Sequence, residues 1–197
     1  MTRNVAFILF PGAEELDFAG PWEVYTMTNA IVPDAVRAYV VSEDGGTVAC
    51  AKGMRVEADY SFANAPKADV VVVPGGLATR QEVDNPAIIE FIRAQDATSE
   101  LTTSVCTGAL LLERAGLLAG LKATTHWLAI DELKAKPGVE VLENTRWVDN
   151  GKVITSSGVS AGIDAALYAV GRLWGEDTAR RVQRAMEYDP APPYQQR

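Results

Sequence analysis

The chain has 197 residues, 48% hydrophobic and 22% charged, which is enough apolar side chain for a single core-bearing domain over 1–197 and too much for a disordered chain. Lys and Arg number 18 against 26 Asp and Glu, a formal charge of −8 with no basic run, which argues against nucleic acid and anionic membranes as partners. The apolar start at Asn4–Phe10 is too short for a secretion signal or a membrane span, so the sequence reads as that of a cytoplasmic protein.

In chain order, Val5–Phe10 predicts a strand, Pro21–Asn29 a helix and Val36–Val41 a second strand. Gly45-Gly46 and Lys52-Gly53 then punctuate Thr47–Ala51 and Met54–Ala58, the pattern of a small appended β-hairpin. Val70–Val73, Leu101–Val105 and Val153–Thr155 predict further strands. Helical spacing recurs at Pro86–Ala97, Thr107–Ala115, Trp127–Ala135, Ser160–Trp174 and Glu176–Glu187, and the proline-rich tail Asp189–Arg197 reads as irregular. Asn85-Pro86 is an N-cap followed by proline at the first helical position, while Gly116 and Gly175 stand where helices stop. Runs such as Asp69–Pro74 lack polar alternation, which suits central parallel strands covered on both faces. The expected class is α/β, with a mainly parallel central sheet, helices on both faces and the hairpin at one side.

The chain has two cysteines, Cys50 and Cys106, and one histidine, His126. No Cys-x-x-Cys or His-x-x-x-His pair can be written, so no metal site is expected, and the well-separated thiols suggest no disulfide framework. Cys106 stands where the strand Leu101–Val105 meets a helix that begins near Thr107, the layout of a nucleophile elbow in which Gly108 lets strand and helix approach closely. The dipole and free N–H groups of the helix start favour thiolate there, and burial opposes it. The alternative is an inert buried cysteine. Cys50, in the hairpin, reads as structural. Pro74-Gly75-Gly76 ends another strand, and the N–H groups of Gly75 and Gly76, with that of Thr107, could form an oxyanion hole, or could belong to a tight loop. Asp17, between Leu16 and Phe18 just before the helix expected at Pro21, is either a proton donor of raised pKa or a helix cap; Glu14 and Glu15 read as solvated surface charges. His126 is either a catalytic group or a packed histidine at a helix start, and Gly158, in Ser156–Ser160, either frames the pocket or belongs to an ordinary capped loop.

Phe10-Pro11-Gly12, Leu16-Asp17, Gly20-Pro21, Pro74-Gly75-Gly76, Val105-Cys106-Thr107-Gly108, Thr124-Thr125-His126-Trp127, Ser160–Asp164 and Glu187–Pro193 together resemble the ThiJ/PfpI superfamily, most closely its isocyanide hydratase branch. The resemblance implies a flavodoxin-like sandwich, a homodimer, Cys106 as nucleophile, Asp17 as its acid, a contribution from the Thr107 hydroxyl, and no cofactor. It implies a lyase that hydrates an isocyanide to an N-substituted formamide through a thioimidate. Sister branches place histidine directly after the cysteine or use a late His-x-Glu pair; here Thr107 follows Cys106 and no histidine follows His126, which disfavours protease and amidotransferase activity. Three other readings stay open: a glyoxalase or deglycase acting on reactive dicarbonyls, a ligand sensor like those fused to helix-turn-helix modules, and a redox sensor at Cys106. The acidic charge, and the lack of room for DNA-binding helices before Arg197, weigh against a regulator.

Overall fold

A computed structural model describes residues 1–190. The elements, in order, are β1 (Arg3–Ile8), α1 (Glu15–Ile31), β2 (Val36–Ser42), β3 (Thr47–Ala49), β4 (Arg55–Glu57), β5 (Tyr60–Ser61), β6 (Val70–Val73), α2 (Thr79–Glu82), α3 (Pro86–Asp96), β7 (Leu101–Val105), α4 (Gly108–Arg114), β8 (Lys122–Ala123), α5 (Ile130–Lys134), β9 (Glu140–Val141), β10 (Trp147–Asp149), β11 (Val153–Ser156), α6 (Ala161–Trp174) and α7 (Glu176–Ala185). A 3-10 turn, Trp127–Ala129, leads into α5.

A seven-stranded sheet runs β10-β11-β7-β6-β1-β2-β5. Its pairings are parallel except at the edge, where β10 runs antiparallel to β11. The unalternating strands are central as expected: every residue of β6 and β7 is buried. Helices α1, α6 and α7 pack on one another, and α4 packs on α2 and α3 as a second group, giving the flavodoxin-like sandwich. The hairpin forms as predicted, with β3 and β4 paired antiparallel from Thr47–Glu57 to Ala49–Arg55. Asn85 accepts a hydrogen bond from the Ala87 N–H in front of Pro86, the cap foreseen for α3. The tail expectation lies, from residue 191 onward, outside the described residues.

The first helix departs from the sequence reading. It opens at Glu15, so Pro21 lies inside it and Asp17 is in its first turn instead of ahead of it. Proline removes one N–H and normally marks a helix start. Here burial overrides that preference: Phe7 of β1 holds Trp22 at a ring-centroid distance of 5.1 Å and Tyr25 at 6.3 Å. The strand order also fixes where a site can form. From β1 the chain moves outward to β2 and then returns to β6 on the other side of β1, so β1 and β6 flank a topological switch point, and crevices form outside the carboxyl ends of such strands.

Candidate active site

The first turn of α1 and the loops after β6 and β7 bring Asp17, Gly75-Gly76 and Cys106-Thr107 together at that point. Cys106 has φ +58°, a left-handed conformation that cysteine rarely adopts, and its side chain is buried. Its backbone is held from both sides. The Cys106 N–H faces the Ser156 and Ser157 carbonyls at 3.1 and 3.2 Å, and its carbonyl accepts the Thr125 hydroxyl at 2.8 Å. Gly108 permits the sharp turn, since a Cβ there would lie 2.3 Å from the Val73 carbonyl oxygen. The sequence points to the elbow through its strand-Cys-Thr-Gly order; Thr125 and the serine carbonyls carry no such signal, because only the folded chain brings them close.

Asp17 is fully buried. Its Oδ2 accepts the Gly75 N–H at 2.9 Å, while Oδ1 has no protein hydrogen-bond partner. Burial, reinforced by the Glu14 charge, pushes the carboxyl up to about 7, against the pull of the Gly75 N–H, the Cys106 thiol and Lys52. Burial and then the Asp17 charge push the Cys106 thiol up, while the N–H and hydroxyl of Thr107 pull it down. These two neighbours therefore favour holding their protons at rest, since two anions side by side in a buried site repel.

The Thr107 hydroxyl exchanges two hydrogen bonds with one residue, accepting the Gly76 N–H at 2.9 Å and donating to the Gly76 carbonyl at 2.9 Å. The N–H groups of the two glycines are thus engaged within the protein, that of Gly75 by Asp17 and that of Gly76 by Thr107. They hold the acid and the threonine in place. The Thr107 N–H, which acts on the thiol, remains as the donor beside the Cys106 sulfur.

His126 and Gly158 are brought together. A Cβ on Gly158 would fall 2.0 Å from Cδ2 of the His126 ring, so only glycine leaves the imidazole its place. His126 also caps the 3-10 turn, with Nδ1 accepting the Leu128 N–H at 3.3 Å. Burial and the Arg80 charge hold its pKa below the usual imidazole range. Each of the two residues neighbours a residue that bonds the Cys106 backbone, Thr125 and Ser157. A cavity of about 520 Å³ opens beside them, lined among others by Thr125, Trp127, Arg146 and Ser157. Cys50 is buried in the hairpin.

Glu14 and Glu15 are not the solvated charges that the sequence suggests. The Glu14 side chain is 20% exposed and pairs with Lys52, and Glu15 Oε1 accepts the Lys52 N–H at 2.6 Å. Acidic type and position in a loop gave no sign of this, because the partners come from the hairpin. Among the described residues no group of three His, Cys, Asp or Glu could hold a metal ion, and no helix is long and apolar enough to cross a membrane.

Residues 3–171 match the model of the DJ-1/PfpI family. Over 194 residues the chain is 39% identical to an isonitrile hydratase of Pseudomonas putida, an alignment covering 98% of this chain and 82% of that protein. It is 32% identical over 183 residues to the HTH-type transcriptional regulator CdhR of Pseudomonas aeruginosa, where 92% of this chain aligns but spans only 54% of the regulator, about half its length. The crystal structure of a THiJ/PfpI family protein from Pseudomonas syringae superposes with a TM-score of 0.90 at 30% identity, covering 98% of this chain and 78% of that one.

Proposed function

We propose that this chain, which belongs to the DJ-1/PfpI family, is a cysteine-dependent isocyanide hydratase, a lyase that adds water to R–N≡C to give R–NH–CHO. The observation that carries the reading is the pairing of a buried thiol at a strained strand-to-helix hinge with a fully buried carboxyl that favours its protonated form. The terminal isocyanide carbon is electrophilic at a lone carbon atom, so a nucleophile and a proton must reach the same centre. The Cys106 sulfur forms the C–S bond as the Asp17 proton goes to that carbon and the thiol proton passes to the Asp17 carboxylate so formed, leaving a thioimidate, R–N=CH–S–Cys106, beside a protonated acid. Asp17 then gives its proton to the nitrogen and takes one from the water whose oxygen bonds to the carbon, and it relays the hydroxyl proton of the adduct to sulfur. Collapse of the tetrahedral adduct breaks the C–S bond, releases the formamide and returns the thiol. The Thr107 N–H steadies charge on sulfur as the bond forms and breaks, and the hydroxyl, bonded to Gly76, holds that residue in place. His126 packs over Gly158, beside the cavity that Thr125 and Ser157 line. A homodimer whose second subunit screens the mouth from bulk water belongs to this proposal.

The test is to incubate the protein with an aryl isocyanide and, separately, with methylglyoxal, following formamide and lactate. Formamide production lost in Cys106→Ser and reduced by about two to four orders of magnitude in Asp17→Asn supports the assignment. Lactate without formamide assigns the same thiol and acid to the glyoxalase reading. Binding of either compound without turnover favours a sensor, the reading that the likeness to the regulator supports.

A further inference from the structure

We propose that the Glu14–Lys52 ion pair is a positioning device for the acid, through which the β3–β4 hairpin sets how Asp17 shares its proton with Cys106. The proposal rests on Asp17 being the proton donor of the reaction above.

The hairpin is fastened to the acid-bearing loop at successive points. The Gly12 N–H donates to the Ala49 carbonyl and the Ala51 N–H to the Ala13 carbonyl, each at 2.9 Å. Both Lys52 and Met54 direct their N–H groups to Glu15 Oε1, and Lys52 Nζ spans both carboxylate oxygens of Glu14. From Glu14 the connection reaches the acid through one residue: the Glu14 N–H donates to the Gly75 carbonyl at 2.9 Å, and the Gly75 N–H donates to Asp17 Oδ2 at 2.9 Å. Glu14 is mostly covered, so its charge is poorly screened from Asp17, whereas Lys52 is 66% exposed. A pair spent only on tying a hairpin to a loop would not need to stand next to a buried acid.

The charged and titratable groups acting on Asp17 are Glu14 from the N-cap of its own helix, Lys52 from the hairpin and Cys106 from the β7–α4 hinge; the loop after β6 contributes the Gly75 N–H. Beyond them, His126 feels Glu14 and Arg80. Glu14 favours the protonated acid and Lys52 the carboxylate. The two charges therefore oppose each other at Asp17, which in turn acts on the sulfur. Glu14→Gln leaves the ammonium uncompensated, so Asp17 gives up its proton at lower pH. Lys52→Met does the reverse.

The experiment measures alkylation of Cys106 by iodoacetamide across pH in the full chain carrying Cys50→Ser, alone and combined with Glu14→Gln, Lys52→Met or Lys52→Arg. The apparent pKa of the acidic limb is expected to fall by about half to one pH unit in Glu14→Gln and to rise by a similar amount in Lys52→Met. Lys52→Arg should retain the parent profile. In an Asp17→Asn background both shifts should vanish. Movement of both variants in one direction, no movement, or shifts that persist without Asp17 would overturn the proposal. Alkylation needs no isocyanide, so its outcome stands apart from success or failure of the hydration assay.

Discussion

Replacing Asp17 with Asn should stabilise the fold at neutral pH and above, although it removes the proposed proton donor. In the unfolded chain this carboxyl ionises near its ordinary 3.8, and in the folded chain only near about 7. Between these limits the folded state keeps a proton that the unfolded state has released, so unfolding becomes easier as pH rises through that window. The rise from 3.8 to about 7 corresponds, at about 1.36 kcal/mol per pH unit, to about 4 kcal/mol of lost stability once both states are ionised. Asn keeps the shape, can accept the Gly75 N–H and never ionises, so it avoids this cost. Urea unfolding of both proteins should therefore show the Asp17→Asn variant and the parent nearly equal near about pH 4, with the variant ahead by a few kcal/mol near about pH 8. Other carboxylates titrate alike in the two proteins and cancel in the difference. A difference independent of pH, or a more stable parent at about pH 8, would refute the claim that Asp17 is held protonated by burial.

Cys106→Ser should abolish formamide formation with the fold retained, while Cys50→Ser leaves the rate nearly unchanged; equal losses in steady-state assays would show that the nucleophile is misassigned. Thr107→Val removes both hydrogen bonds to Gly76 and strands a buried N–H, so urea titration should show a loss of about 1–3 kcal/mol together with slower turnover. Gly158→Ala should cost about 1–3 kcal/mol by driving a methyl group into the His126 ring, and His126→Ala in the same chain should relieve much of that cost. Sedimentation should find a homodimer at micromolar concentration, and a fully active monomer would contradict the screened mouth.

The sheet was legible because its central strands are buried on both faces, so Val70–Val73 and Leu101–Val105 show no apolar–polar alternation and can hardly be read otherwise. Its edges were not. Tyr60–Ser61 and Trp147–Asp149 are too short to display a period, and their pairing is decided by the neighbouring strand. The start of α1 was misread because Pro21 is a strong local signal that an aromatic cluster on Phe7 overrides. At the site, Cys106 announced itself by its place between strand and helix. The occupation of the Gly75 and Gly76 N–H groups depends on atoms that are 58 and 31 residues distant and was invisible to any local reading.

Those separations also bear on the order in which the molecule assembles. The Asp17–Gly75 bond spans 58 residues, and the Gly76–Thr107 bonds span 31. β6 must be inserted between β1 and β7 before any of them can close. Non-local parallel pairing of this kind bears its loop-closure entropy before any contact repays it, and it is slow. During refolding, the thiol at residue 106 should consequently stay open to a pulse of alkylating reagent well after α1 and α6 have become helical. Its disappearance from the labelled population is then a clock for completion of the central sheet.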